Sequence, residues 1–289
     1  MPCYHELPAW ESKAFTEKGK RQPVFNINDG YIDRPTAVPC GRCVGCRTKR
    51  VQEWTQRCLH EAEQHKDNCF ITLTYDDNQL PDGDDLVVDH LQRFWKRLRR
   101  AGHTFRYFAC GEYGPTTLRP HYHACLFGYY PNDSVRTLSN TLRESKSLDE
   151  AWGLGYTSHS VFNRETAAYV AGYILKKYTE NGTPAELENR TMPFQVMSRR
   201  PAIGRDWALK WAKYITDHDG IRQPGGRLHP MPRYYSKAIE QTQPQLMKGL
   251  KYRRIRKALQ DPNRSGTRRR AQESTRNARN QLQAKRDQL

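Results

Sequence analysis

Two histidines separated by a single residue lie in a segment that is predicted to be a β-strand. Because side chains alternate between the faces of a strand, the imidazoles of His121 and His123 point the same way. Two adjacent imidazoles can bind one divalent metal ion. A hard metal ion also prefers an oxygen ligand, and Glu112, at the end of the preceding predicted strand, is the favoured candidate. Asp76 and Asp77 are the alternative oxygen ligands.

A pair of tyrosines forms the second candidate group. Tyr169 and Tyr173 are four residues apart in a predicted helix and therefore share one face. A tyrosine hydroxyl, with a pKa of about 10 in solution, needs nearby positive charge from a metal ion or a lysine to become a nucleophile. Lys176 and Lys177 follow directly. A glycine within a helix costs about 1 kcal/mol relative to alanine. A substrate backbone that must approach the helix closely would explain why Gly172 is present.

The composition favours a polyanionic partner. The chain has 289 residues, 36% of them hydrophobic, and a formal net charge of +17, which favours nucleic acid over a membrane. The sequence has no run of about 18 apolar residues, so no membrane span is predicted. The N-terminus also lacks the apolar core of a signal peptide. A ribosomal-type basic protein is the alternative that charge alone allows. The histidine and tyrosine pairs in a basic chain indicate instead a nuclease that attacks DNA with tyrosine.

Three of the cysteines form a separate motif. Cys40, Cys43 and Cys46 have metal-like spacing, which favours a reducing cytosolic setting over disulfides. Cys3 or His5 would supply a fourth ligand, and we predict a structural zinc ion. An iron–sulfur cluster and a reduced loop without metal are the alternatives.

The elements that must position these groups follow from hydrophobic periodicity and turn residues. Helices are predicted over 47–65, 89–102, 134–152 and 165–178, and strands over 69–75, 104–113, 121–129 and 156–162. The order β-α-β-β-α-β from 69 to 162 predicts an α+β fold of the ferredoxin-like (split βαβ) type. Such a fold has an antiparallel sheet with helices on one face.

Four regions are predicted along the chain. They are a Cys-rich irregular arm (1–46), a core (47–182), a partly helical accessory region (183–240) and a basic tail (241–289). Trp207, Trp211 and Ile215 predict one amphipathic helix in the accessory region. The tail has 14 Lys or Arg against 3 Asp or Glu and is predicted to be disordered or conditionally helical. It is expected to contact DNA phosphates, together with basic residues of the first two helices: Arg47, Lys49, Arg50, Arg93, Lys96, Arg97, Arg99 and Arg100.

A family resemblance rests on these motifs taken together. The strand Phe70–Tyr75, the His121-Tyr122-His123 motif and the tyrosine helix occur in the order of the HUH endonucleases, in which two histidines flank a hydrophobic residue. The chain resembles in particular the replication initiation proteins of microviruses of the gokushovirus type. The opening Met1-Pro2-Cys3 and the cysteine run also fit this group. The resemblance covers roughly residues 1–180.

The resemblance implies rolling-circle replication in the cytoplasm of a bacterial host. Such an enzyme nicks one strand of the replicative form at the origin. His121 and His123 would bind Mg²⁺ or Mn²⁺, and Tyr173 or Tyr169 would attack, leaving a 5′-phosphotyrosine and a free 3′-hydroxyl. A host polymerase would extend that hydroxyl, and the second tyrosine would cut the regenerated origin so that the displaced strand closes into a circle. Lys176, in the Tyr-x-x-Lys spacing of single-tyrosine relatives, and its neighbouring lysine would stabilise phosphate charge.

The expected partners are single-stranded and supercoiled replicative-form DNA, a host polymerase and a host helicase, because the chain has no G-x-x-x-x-G-K-[ST] loop. One alternative is a transposase, relaxase or plasmid initiator of the same HUH class. The other is a non-catalytic, zinc-containing DNA-binding protein. The tyrosines follow the histidines, which favours a replication initiator over a relaxase.

Overall fold

The computed structural model describes residues 3–17, 19–114, 116–137, 141–176, 189–223, 225–260 and 266–286. Its helices and strands, in chain order, are β1 (Leu7–Ser12), β2 (Pro23–Val24), β3 (Gly30–Val38), α1 (Val44–Ala62), β4 (Asn68–Tyr75), α2 (Val88–Arg100), β5 (Arg106–Tyr113), β6 (Pro120–Phe127), β7 (Val135–Arg136), β8 (Arg143–Glu144), α3 (Lys146–Trp152), β9 (Gly155–Val161), α4 (Arg164–Lys176), β10 (Phe194–Met197), α5 (Arg205–Lys210), α6 (Ala212–His218), β11 (Ile221–Arg222), β12 (Leu228–His229), α7 (Arg233–Thr242), α8 (Pro244–Leu259) and α9 (Gly266–Arg286).

The chain divides into two compact units. The terminal unit comprises residues 1–50 and 257–289, and the central unit comprises residues 51–256. Among the described residues, none of the helices combines the length and the apolar composition that crossing a bilayer requires.

A seven-stranded antiparallel sheet dominates the central unit. Its strand order is β10-β5-β6-β4-β9-β8-β7. β5 and β6 form a hairpin in which Glu112 pairs with His121, and β4 pairs with both β6 and β9. The predicted α+β class and the antiparallel sheet are confirmed. The chain order is β4, α2, β5, β6, β7, β8, α3 and β9, so two short strands interrupt the predicted β-α-β-β-α-β order.

Helices cover both faces of this sheet, so the prediction of helices on one face is wrong. One face carries Ile71, Leu73, Tyr122 and Leu126, against which α2 and α3 pack. The other carries Phe70, Phe108, Cys125 and Phe127, which pack with Cys58 of α1 and with Ala167, Val170 and Ala171 of α4. The strands alternate between two apolar surfaces, and each surface must be removed from water by a helical layer. The two extra helices lie outside the β-α-β-β-α-β unit in the sequence.

The predicted helix over 134–152 is correct only in its last part. α3 begins at Lys146, after Ser145, whose backbone is extended and whose hydroxyl accepts a hydrogen bond from the Leu148 amide. Ser145 also donates to the Asp133 carboxylate at 2.6 Å, which fixes it as the helix N-cap. The chain before it forms β7 and β8, and Arg143 of β8 pairs with His159 of β9.

The predicted irregular arm instead contains a three-stranded antiparallel sheet in the order β2-β1-β3. Gly30 opens β3 beside Trp10, where an added Cβ would lie 2.4 Å from the Trp10 Cβ, so only glycine fits. The strand pattern of β3 is hidden in the sequence because most of its residues are exposed and one of them is Pro35.

The later regions also depart from the expectations. β10 of the accessory region pairs with β5 at the edge of the large sheet. The single helix predicted around Trp211 is two short helices, α5 and α6, which meet at that residue. The described part of the tail is helical, in α8 and α9, so the disordered alternative is wrong there and the helical one is observed. Met247 and Leu250 of α8 are buried in a cluster with Trp207 and Tyr235, which explains the order of this segment.

Candidate active site

Glu112, His121 and His123 converge at the centre of the large sheet. Their ligand atoms lie within 4.8 Å of one another, an arrangement that could hold a metal ion. Glu112 Oε1 is 3.0 Å from the Nε2 atoms of both histidines. The hairpin register sets this convergence, because Glu112 is directly opposite His121 and Cys110 is opposite His123. The carboxylate and His123 are buried, and His121 is partly exposed.

Hydrogen bonds orient both imidazoles so that Nε2 faces the carboxylate. His121 Nδ1 donates to the backbone oxygen of Arg119 at 3.0 Å, and His123 Nδ1 is 3.0 Å from the Thr72 hydroxyl. With Nδ1 protonated, the neutral imidazole of His121 presents a lone pair at Nε2. A lone pair 3.0 Å from a carboxylate oxygen is unfavourable unless a proton or a cation lies between them. The donor set of two imidazoles and one carboxylate therefore fits a divalent cation.

The tyrosine pair lies directly against this group. The Tyr169 hydroxyl is 3.4 Å from Glu112 Oε1 and 3.5 Å from His123 Nε2. Its ring is edge-on to that of Tyr173, with centroids 4.9 Å apart, and the Tyr173 ring stacks on His123 at 5.8 Å. Tyr169 is 46% exposed, whereas Tyr173 is only 7% exposed. The two motifs, which the sequence analysis assigned to one site, are therefore adjacent in the structure.

Burial and hydrogen bonding set the charges of the site. When no cation is bound, a proton between Nε2 and the carboxylate takes its place. Burial opposes ionisation of Glu112, but the resulting hydrogen bonds from His121 and His123 outweigh it and lower the pKa of the carboxyl to about 2. Burial raises the pKa of both tyrosines, and the negative charge of Glu112 adds to the increase. The Tyr173 hydroxyl donates a hydrogen bond to the Tyr169 hydroxyl. This bond by itself raises the pKa of the donor, Tyr173, and lowers that of the acceptor, Tyr169. Both hydroxyls therefore need a nearby positive charge before they ionise.

The other predicted groups have different outcomes. Asp76 accepts hydrogen bonds from Asn78 and Tyr156, and Asp77 pairs with Arg119 at 2.6 Å, so neither alternative carboxylate belongs to the cluster.

The structure describes the backbone of Lys176 at the end of α4, but its side chain and the whole of Lys177 lie outside the described residues. A Cβ added at Gly172 would meet nothing within 4 Å, which leaves open space beside the tyrosines.

The basic residues of α2 lie away from this site. α2 packs on the opposite face of the sheet from the two histidines. The Arg97 guanidinium donates to the backbone oxygens of Ala151 and Trp152, and Arg93 pairs with Asp89 at 2.6 Å. These two arginines therefore have local structural partners, and the expectation that α2 contacts DNA gains no support from its position.

Sequence reasoning missed the residues that orient the histidines. Thr72 lies opposite His123 in the β4–β6 pairing, and this register joins strands far apart in the sequence. The alternation of β4 places Thr72 on the same face as Phe70, which is the one signal that could have identified it.

The four predicted cysteine ligands also come together, in the terminal unit. The Sγ atoms of Cys3, Cys40, Cys43 and Cys46 lie within 4.8 Å of one another and could hold a second metal ion. His5, the alternative fourth ligand, pairs instead with Glu273 at 2.7 Å.

Comparisons with known proteins agree on one family. The family model for the replication-associated protein ORF2/G2P matches residues 68–178, which contain both site motifs. The replication-associated protein VP4 of Bdellovibrio phage phiMH2K is 30% identical over 222 residues, 72% of this chain and 69% of the relative. The replication-associated protein ORF2 of Spiroplasma virus 4 is 34% identical over 233 residues, 75% of this chain and 71% of the relative. The replication-associated protein ORF4 of Chlamydia phage 1 is 28% identical over 244 residues, 78% of this chain and 60% of the relative. No solved structure matches the chain significantly.

Proposed function

We propose that this chain, which belongs to the microvirus-type replication-associated proteins of small phages, starts rolling-circle replication by nicking one strand of the phage DNA at its origin. It would be a metal-dependent HUH endonuclease and strand transferase that acts through tyrosine. The strand order β5-β6-β4-β9 supports the ferredoxin-like (split βαβ) core that this class requires.

One observation carries the proposal: a half-exposed tyrosine hydroxyl lies 3.4 Å from the carboxylate of a buried Glu-His-His group. A regulator that only binds DNA has no need for a nucleophile against a metal-ligand set. The geometry instead supports phosphoryl transfer, in which the nucleophile and the charge-stabilising group must reach the same phosphate.

Glu112, His121 and His123 would hold the cation. When bound, Mg²⁺ or Mn²⁺ would polarise the scissile phosphate and offset the carboxylate charge that raises the pKa of the tyrosines. Thr72 and the Arg119 carbonyl keep the Nε2 lone pairs aimed at one point. The open space beside Gly172 gives the DNA backbone access to the helix.

Tyr169 would attack first. It is the more exposed tyrosine, and its hydroxyl lies 3.4 Å from Glu112 Oε1 and 3.5 Å from His123 Nε2. Its phenolic oxygen would form a bond to phosphorus as the bond to the 3′-oxygen breaks, so one phosphodiester is exchanged for another. The 3′-oxygen takes up a proton and becomes the hydroxyl that a host polymerase extends, with a host helicase unwinding the duplex.

Tyr173 would act in the second cleavage. After one round of synthesis, its hydroxyl attacks the regenerated origin while Tyr169 still carries the first 5′-end. The newly released 3′-hydroxyl then attacks the first phosphotyrosine and closes the displaced strand into a circle. The adjacent rings allow both reactions to use the same metal-ligand group. Lys176 and Lys177, which follow Tyr173 in the chain, would stabilise the charge of the phosphate. The reactions would take place in the bacterial host cell.

A covalent-adduct assay tests the proposal. The full-length protein is incubated with a labelled single strand of the origin and Mn²⁺, and the products are separated under denaturing conditions. We expect an adduct with the wild-type protein and none with the double variant Tyr169→Phe, Tyr173→Phe. Tyr252→Phe, a change at an exposed tyrosine of α8, is the matched control and should retain the adduct. An adduct in the double variant, or none in the wild type, would refute the proposed chemistry.

A further inference from the structure

The four-cysteine cluster of the terminal unit has the dimensions of a site for one metal ion. The Sγ atom of Cys3 is 3.5 Å from that of Cys40 and 3.9 Å from that of Cys43. None of these cysteines is in a disulfide. Zinc–sulfur bonds of about 2.3 Å in a tetrahedron place the sulfurs about 3.8 Å apart, close to the observed spacing. An iron–sulfur cluster divides its thiolates between different irons, which spreads the sulfurs farther.

Backbone amides point at the sulfur atoms, which is a second and independent sign of thiolate ligands. The amide of Cys40 donates to Cys3 Sγ at 3.3 Å, and the amide of Cys43 donates to Cys40 Sγ at 3.4 Å. The amides of Tyr4 and Cys46 both donate to Cys43 Sγ, each at 3.5 Å. Hydrogen bonds to an ionised acceptor are stronger than those to a neutral one, so the direction of these amides suits sulfur atoms that bind a metal ion as thiolates. Four thiolates packed together need a cation.

The residues that follow Cys3 contact the basic helix α9. His5 Nε2 lies 2.7 Å from a carboxylate oxygen of Glu273, and the Glu6 carboxylate pairs with Arg269. The first metal ligand is therefore continuous with the segment on which α9 rests.

The contacts that α9 makes with the segment after Cys3 are polar. A cavity of about 750 Å³ lies between Tyr4 and α9, lined by residues that include Arg268, Arg276 and Arg279, so apolar packing there is sparse. A helix with seven basic residues and one acidic residue also repels itself. These polar partners can hold α9 only while the segment after Cys3 keeps a fixed conformation.

We propose that one zinc ion bound by Cys3, Cys40, Cys43 and Cys46 fixes the N-terminal segment and thereby holds the basic helix α9 in place. This inference is independent of the nicking reaction, because it concerns different residues and a different metal.

Metal content of the purified full-length protein tests the first part. Mass spectrometry should find one zinc per chain in the wild type and in the double variant His121→Ala, His123→Ala. Cys40→Ser and Cys43→Ser should lose it, whereas Cys58→Ala, at a buried cysteine outside the cluster, should keep it. A folded wild-type protein without zinc, or with iron in its place, would overturn the assignment.

Hydrogen exchange tests the second part. In the zinc-loaded wild type, the amides of Gly266–Arg286 should be protected, and a chelator should increase their exchange at least about tenfold. Adding back zinc should restore the protection. The amides of β4–β6 in the central unit report whether the rest of the fold survives the treatment. Unchanged exchange in α9 while those strands stay protected would show that the metal does not hold the helix.

Discussion

The hydrogen bond between Thr72 and His123 makes a sharp prediction. Thr72→Val removes the hydroxyl that lies 3.0 Å from His123 Nδ1 and preserves the shape of the side chain. The imidazole is buried, so its Nδ1–H would lose its partner, at a cost of about 1–3 kcal/mol. His123 would then be free to adopt the other tautomer or to rotate, and Nε2 would no longer be fixed toward Glu112. At about 1.4 kcal/mol per factor of ten, the cation affinity should fall by roughly 10- to 100-fold, as for other partners of metal-ligating histidines.

The assay is a Mn²⁺ titration of adduct formation on the origin strand. The half-saturating Mn²⁺ concentration should rise by about 10- to 100-fold in Thr72→Val, and saturating Mn²⁺ should restore most of the rate. Thr74→Val is the matched control, since Thr74 lies on the same face of β4 two residues on and opposite His121. Its titration curve should match that of the wild type. Equal curves for the two variants would refute the argument that Thr72 sets the direction of the His123 lone pair.

Three further predictions follow from the same geometry. Tyr173→Phe should still form the first adduct through Tyr169 but should release no single-stranded circles from supercoiled origin DNA on a gel; if it loses the first adduct, the assigned order of the two tyrosines is wrong. In the metal-free protein, Glu112 has a folded pKa of about 2 against an unfolded value near 4.5. The unfolded state therefore binds more protons between these two values, and stability is lost as the pH is lowered through that range. The difference in unfolding free energy between the wild type and Glu112→Gln, measured by urea denaturation, should therefore shrink by up to about 3 kcal/mol between pH 4.5 and pH 2, and a constant difference would argue against this ion pair. Arg270→Ala on α9 should reduce by about 1 the slope of a plot of log affinity for duplex DNA against log salt concentration. Lys96→Ala on α2 should leave that slope unchanged. Equal slopes for the two variants would argue against a phosphate contact by α9.

From the sequence alone, the grouping of the candidate site residues was easier to predict than the arrangement of the helices that cover the sheet. The histidine spacing and the hairpin identify His121, His123 and Glu112, because a short turn fixes the register of neighbouring strands. The tyrosine pair is equally visible, because its spacing matches one turn of helix. What could not be predicted is the pairing of β4 with β6, which brings Thr72 to the site from a distant part of the chain.

The second helical layer was missed for a different reason. The apolar run from Cys69 to Leu73 indicates burial on both faces of a strand, but it does not say which helices provide the cover. α1 and α4 lie before and after the β-α-β-β-α-β unit, so the motif itself did not predict their place. In the N-terminal arm, the exposed strands carry Pro35 and charged residues, and their pattern therefore resembles that of a loop.

The placement of the ligands in the sheet has a consequence for inactivation. Glu112 lies on β5, and both histidines lie on β6, and each of these strands is hydrogen-bonded to a neighbour on both sides. Fraying of an edge strand such as β7 would leave them undisturbed, and their separation requires cooperative melting of the whole sheet. Heating should therefore abolish cation binding in a single step that coincides with the loss of tertiary structure, without an earlier phase of partial damage.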